Sequence, residues 1–167
     1  QAYLGGDIRD RLGDGHRLGV RIRYSPEPFG ALDTGGGIRN ALPLVGRAPF
    51  AVVNCDVWSD FDFAQLHEVN PHAAHLILVN NPPQHPDGDF ALEHGLARTE
   101  GSPRWTFAGI SVYHPSFFDG TPSGAFSVVP MLRERMATGD VTAQLHHGLW
   151  IDVGTPERLE ALRASVV

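Results

Sequence analysis

Apolar positions along this chain fall into blocks whose spacing switches between helical and extended. Leu4, Ile8 and Leu12 recur at every fourth position and predict a helix over residues 3–12, stopped by Gly13-Asp14-Gly15. Leu18, Val20, Ile22 and Tyr24 alternate with other residues and predict a half-exposed strand near a sheet edge. Ser25 to Gly30 contains Pro26 and Pro28 and reads as a loop. Helical spacing returns with Ile38, Ala41, Leu42 and Leu44, behind Gly35-Gly36-Gly37. Phe50 to Val53 is an unbroken apolar run, which predicts a short strand buried on both faces.

Further on, Phe61 to Val69 reads as a short helix and Ala74 to Val79 as another buried strand. Asn80 to Pro86 holds three prolines and must be irregular. Asp89 to Glu93 and Trp105 to Tyr113 are the next strands; Gly109 inside the second marks a bulge or a close ligand approach. Phe126 to Met136 predicts a helix with Val129, Leu132 and Met136 inward, ended by Gly139. Leu149 to Glu157 reads as a short strand turning into a helix. Thr155 suits its N-cap, Pro156 its first position, and Leu159 and Leu162 its buried face. Strands alternating with helices predict an α/β fold, a mostly parallel mixed sheet flanked by helices. At 167 residues, with no repeats or linkers, the chain is read as a single domain.

Charge narrows the function classes. The formal net charge is −6 and no basic run occurs, which argues against a nucleic-acid partner. A nucleotide substrate stays open, since one bound metal neutralises phosphate locally. All 13 basic residues are Arg; Lys is absent. A lone cysteine, Cys55, cannot build a disulfide framework and suits a reducing, cytoplasmic setting. No apolar run approaches the roughly 18 residues of a membrane span, and no signal-peptide pattern opens the chain.

The candidate chemistry centres on Asn54-Cys55-Asp56, where the apolar run stops at a carboxylate. In open α/β sheets ligands bind beyond strand carboxyl ends. A carboxylate buried there requires a positive partner, and a divalent cation is one answer; capping the next turn is the other. Asp152 also follows a short apolar strand. If both strands end at one edge, Asp56 and Asp152 can share one hard cation. Leu32-Asp33-Thr34-Gly35-Gly36-Gly37 opens a helix whose free N–H groups would favour anions or carbonyl oxygens, or else is a flexible loop with Asp33 or Thr34 as cap. It matches neither a Walker loop nor the dinucleotide fingerprint. The nine histidines show no metal-ligand spacing and are read as surface residues; Cys55, with no histidine nearby, is read as packed beneath the site.

Four segments together carry a resemblance: Leu32 to Ile38, Asn54-Cys55-Asp56-Val57-Trp58, Phe107-Ala108-Gly109-Ile110, and Trp150-Ile151-Asp152-Val153-Gly154-Thr155. In this order they resemble the sugar-1-phosphate nucleotidyltransferases, most of all the N-acetylmuramate α-1-phosphate uridylyltransferases of bacterial cell-wall recycling. Tyr24-Ser25-Pro26-Glu27 before the glycines adds to the likeness. The resemblance implies a Rossmann-like nucleotidyltransferase fold and transfer of a uridylyl group from UTP to a sugar-1-phosphate. It implies Asp56 and Asp152 as catalytic Mg²⁺ ligands. Thr34, Gly35, Gly36 and Asn54 would lie on the nucleotide, and Asn80, Asp89 and Gly109 on the sugar.

Two departures qualify it. Cys55 stands where the family usually has Gly. The family's first strand, Gly-x-Gly-x-Arg loop and Pro-Lys-Pro segment have no counterpart, so the chain reads as starting after that region. These 167 residues alone are therefore expected to be inactive or nearly so, with exposed sheet edges that favour aggregation, while a longer parent would be the enzyme. Guanylyl transfer to mannose-1-phosphate and a non-catalytic sugar-nucleotide-binding module are the alternatives.

Overall fold

The structure, a computed structural model, describes residues 5–27 and 30–165; Tyr3, Leu4 and Pro28 lie outside the described residues. The chain divides into two compact units, Gln1–Ala48 with Phe118–Met131, and Pro49–Phe117 with Leu132–Val167.

The first unit holds helices α1 (Gly5–Leu12) and α2 (Asp33–Val45). The helical period near the start is real, but no described residue of α1 is buried, and Ile8 and Leu12 are exposed. The alternating segment after it is not a strand. Gly15 and Gly19, both left-handed (φ 84° and 70°), bracket a 3₁₀ turn over His16–Leu18. Val20 N–H then bonds Gly15 O and Ile22 N–H bonds Asp14 O, so the chain folds back on itself rather than joining a ladder. Tyr24 closes this turn, donating its hydroxyl to Gly13 O while the Arg9 guanidinium lies 5.1 Å over its ring. In α2 the buried residues are Gly35 and Gly36. Their N–H groups both bond Phe126 O, and a methyl on Gly36 would overlap the Gly124 carbonyl oxygen.

The second unit is built on a six-stranded sheet. Its strands are β1 (Phe50–Val53), β3 (Ala74–Val79), β4 (Phe90–Glu93), β5 (Leu96–Arg98), β6 (Arg104–Tyr113) and β7 (Val141–His146). Their order is β1-β6-β3-β7-β5-β4, with β4 also pairing the start of β6. A separate two-stranded ladder joins β2 (Val57–Ser59) to β8 (Trp150–Asp152). The sheet is mixed, as expected, but not mostly parallel. Among the described residues β3–β7 is the parallel ladder, and the other pairs are antiparallel.

Two apolar runs of similar composition end in different places. Every residue of β3 is buried, whereas β1 lies at the sheet edge with alternating half-buried and exposed positions, Val53 being 44% exposed. Strands β2, β5 and β7 were not legible as such, because two are three residues long and β7 mixes Thr, Gln and His among its apolar residues. The core joins Ile77, Val79, Ala108, Ile110 and Val112 of the sheet to Phe61 and Leu66, with Val57 and Trp150 of the small ladder packed against it. Helix α3 (Val129–Ala137) buries Leu132 and Met136, but Val129 is exposed. Helix α4 (Pro156–Ser165) starts at the anticipated proline, with Leu159 and Leu162 only half-buried.

One histidine departs from the surface assignment. His75, in the middle of the sheet, is 8% exposed; its Nδ1 pairs with Thr142 Oγ1 at 2.8 Å and its buried Nε2 has no hydrogen-bond partner among the described residues. Burial lowers its pKa from the ordinary 6.5, since a low-dielectric site disfavours the charged ring.

Candidate active site

Asp56 and Asp152 meet, although by a route other than parallel strand ends. Strands β2 and β8 run antiparallel with Val57 opposite Asp152, and Val153 N–H extends the ladder to Asp56 O at 2.8 Å. The two carboxylates are thereby adjacent. A Cβ built on Gly154 would lie 3.0 Å from both Asp152 Oδ1 and Asp56 Oδ2, so the absent side chain leaves the space the carboxylates share. Asp56 is exposed and its carboxylate has no hydrogen-bond partner among the described residues, so it is not the buried charge the sequence suggested. Cys55 is exposed as well, rather than packed beneath the site.

Asp152 is held more firmly. Its Oδ1 accepts the Gly154 N–H at 2.8 Å, and its Oδ2 faces Arg158 Nη1 at 3.2 Å. The local sequence explains the pairing. Thr155 Oγ1 accepts the Arg158 N–H at 3.3 Å and Pro156 opens α4, so the first turn carries Arg158 back to the carboxylate. Arg158 also leaves a buried Nε without a partner among the described residues.

Asn54, Asp56, Gly109 and Asp152 line one open cavity of about 200 Å³ within the second unit, with Trp150, Thr106, Gln84 and His85 on its wall. Gly109 has φ 71° and sits where the β3–β6 register slips between Leu76 and Leu78, the bulge the strand glycine suggested. Its missing Cβ makes room for Asn54, whose Nδ2 would otherwise be 2.7 Å away, and Asn54 N–H bonds Gly109 O at 2.8 Å. Asp89 stands behind this wall: Oδ2 accepts the Phe107 N–H at 2.8 Å and Oδ1 pairs with His85 Nε2 at 3.1 Å. Asn80 is exposed at the end of β3 and does not line the cavity; its neighbour Asn81 is tied to Pro86 O, Arg104 O and Thr106 Oγ1. Thr34, Gly35 and Gly36 belong to the first unit, where the amides of Gly35 and Gly36 are taken by Phe126 O.

Sequence reasoning missed Arg158, Trp150 and His85. The helix start at Thr155-Pro156 was a usable signal for Arg158, and Trp150 shares a strand face with Asp152. His85 sits in a proline-rich loop with no periodicity to exploit. Trp150 donates its indole N–H to Ala108 O at 2.9 Å, fixing β8 against β6. No group of three or more His, Cys, Asp or Glu side chains arranged for a metal occurs among the described residues. Two carboxylates still suit a hard cation that takes its remaining ligands from water and phosphate oxygens, as Mg²⁺ does beside nucleotides.

Comparison with solved structures shows the fold. A Bacillus anthracis protein described as a glucose-1-phosphate thymidylyltransferase, solved with sucrose, superposes with a TM-score of 0.79 at 20% identity, covering 96% of this chain and 71% of that one. The two proteins share one fold. Sequence comparison is more specific. The N-acetylmuramate alpha-1-phosphate uridylyltransferase of Neisseria meningitidis serogroup B is 47% identical over 172 residues, spanning 98% of this chain and 74% of that protein. The protein of the same name from Caulobacter vibrioides is 31% identical, over 89% of this chain and 67% of its own length. The chain belongs to the N-acetylmuramate alpha-1-phosphate uridylyltransferase family. No protein-family model matches it. Among the described residues no helix is long and apolar enough to cross a membrane.

Proposed function

We propose that this chain serves a uridylyl transfer, in which a phosphate oxygen of N-acetylmuramate 1-phosphate attacks the α-phosphorus of UTP. The bond to the β-phosphate breaks, pyrophosphate leaves and UDP-N-acetylmuramate forms. The observation that carries this reading is the convergence of Asp56 and Asp152 at the gap left by Gly154, together with the family membership. Phosphoryl transfer asks little covalent chemistry of a protein and much positioning.

Asp56 and Asp152 would hold Mg²⁺, which when bound neutralises charge on the phosphate oxygens. The Gly154 amide and Arg158 keep Asp152 in one orientation. Trp150 and the β2–β8 ladder keep both carboxylates on a rigid base. Asn54, Thr34, Gly35 and Gly36 are assigned to the nucleotide. Because the Gly35 and Gly36 amides are occupied and both residues pack on Phe126 and Gly124, their service to a ligand would be to fix the backbone beside it rather than to hydrogen-bond it. Gly109 is assigned to the sugar directly and Asp89 through its hold on His85 and the Phe107 amide, while Asn80 lies outside the cavity wall. Supply of UTP places such a step in the cytoplasm, and its substrate is a fragment of recycled peptidoglycan.

Calorimetry on the 167-residue chain tests the reading. UTP and UDP-N-acetylmuramate should bind in Mg²⁺ and weaken at least tenfold with EDTA, or with Asp56→Asn or Asp152→Asn. Binding that ignores both substitutions would remove the carboxylates from the site, and tighter binding of GTP than UTP would move the base assignment.

A further inference from the structure

N-acetylmuramate differs from N-acetylglucosamine by a lactic acid ether, which adds a carboxylate to the sugar. Bringing that anion into a cavity already walled by Asp56 and Asp152 is unfavourable unless a donor meets it, best a charged one. The cavity wall offers few free donors. Thr106 Oγ1 is committed to Asn81 Oδ1 and Trp150 Nε1 to Ala108 O. Gln84 and Asn54 are neutral amides. Among the lining residues His85 alone can carry a positive charge.

His85 is also aimed. Its backbone N–H bonds Pro82 O at 2.9 Å, and its Nε2 meets Asp89 Oδ1 at 3.1 Å. Asp89 is itself fixed: Oδ2 accepts the Phe107 N–H, its N–H bonds Trp105 O at 2.8 Å, and its carbonyl accepts from Arg104. The remaining ring nitrogen, Nδ1, has no partner among the described residues, and the side chain is 44% exposed. With one ring N–H given to Asp89, the doubly protonated ring presents Nδ1 as a charged N–H donor.

We propose that His85, oriented by Asp89, hydrogen-bonds the lactyl carboxylate and so selects N-acetylmuramate over N-acetylglucosamine, an inference that rests on the uridylyl-transfer reading above. A neutral ring that donates Nε2–H to Asp89 presents a lone pair at Nδ1, which repels a carboxylate. Only the doubly protonated ring therefore serves the carboxylate. The charged groups that face the ring and its partner are Asp89 on its own loop, Arg104 of β6 behind Asp89, and Asp56 and Asp152 across the cavity.

The test titrates UDP-N-acetylmuramate and UDP-N-acetylglucosamine into the full chain in Mg²⁺, at about pH 6 and about pH 8. The wild-type chain should prefer the muramate by about tenfold at the lower pH and less at the higher. In His85→Gln the preference should fall to near unity at both, chiefly by loss of muramate affinity, with the thermal midpoint unchanged. Asp89→Asn, which removes the charge that orients the ring, should also lower the preference. A preference that survives His85→Gln, or equal weakening of both ligands, overturns the assignment to His85 while the transferase reading stands. Failure of the wild-type chain to bind either UDP-sugar overturns both.

Discussion

Two sets of glycines, one in each unit, solve opposite problems. In the first unit Gly35 and Gly36 are buried, their amides close on Phe126 O, and a side chain on Gly36 would strike the Gly124 backbone. In the second unit Gly109 and Gly154 have polar side chains beside them: Asn54 at one, Asp56 and Asp152 at the other. Glycine brings backbone to backbone in the first case and frees a space for chemistry in the second. Substitution at Gly36 should therefore injure folding, and substitution at Gly154 ligand handling.

The largest expected effect is Gly36→Ala, because backbone cannot swing aside as a side chain can. It should destabilise the chain by about 3 kcal/mol in urea melts while leaving divalent-ion affinity unchanged in surviving folded protein. Gly109→Ala should cost about 2 kcal/mol, combining a strained left-handed backbone with displacement of Asn54. Pairing it with Asn54→Ala should recover part of that loss; strict additivity would show that Asn54 is not the obstruction.

Gly154→Ala should reverse the pattern. The added methyl meets two carboxylate oxygens at 3.0 Å, and these can rotate away, so stability should stay within about 1 kcal/mol. Mn²⁺ affinity, read by its effect on water relaxation, should fall about tenfold as the pair is spread. Loss of stability with retained affinity would erase the contrast between the two glycine sets.

The smallest effect is in pH dependence, and it belongs to neither set. His75 is buried with its pKa lowered, so the unfolded chain binds the proton more readily. Its contribution to stability is complete above about 6.5 and is lost as pH falls below that value towards the folded-state pKa. Replacing His75 by Leu should flatten the stability profile over that interval; an unchanged slope would assign it elsewhere.

Much of the site was legible along the chain, because its signals are local. Asp56 and Asp152 stand at strand boundaries, and Gly109 interrupts a strand and does form a bulge. Thr155 and Pro156 start a helix as their side-chain chemistry demands. What was misread depended on neighbours distant in sequence. Phe50–Val53 and Ala74–Val79 are both apolar runs, yet only pairing order decides that one is an edge and the other a centre. Leu18 to Tyr24 alternates as a strand should, and the glycines before and within it turn it back instead. The resemblance puts Asp89 on the sugar, but its role as the holder of His85 depends on a hydrogen bond to Phe107 across the loop.

The sequence by itself determined which residues carry charge, where helices can start and which segments must avoid water, since each follows from a residue and its nearest neighbours. It also carried the family likeness. Only the tertiary structure decided that Asp56 and Asp152 share one space, that the sheet is mainly antiparallel, and that His85 stands over the cavity. Those outcomes rest on ladders and packing between segments far apart along the chain, where many weak contacts add up and no local pattern records the sum.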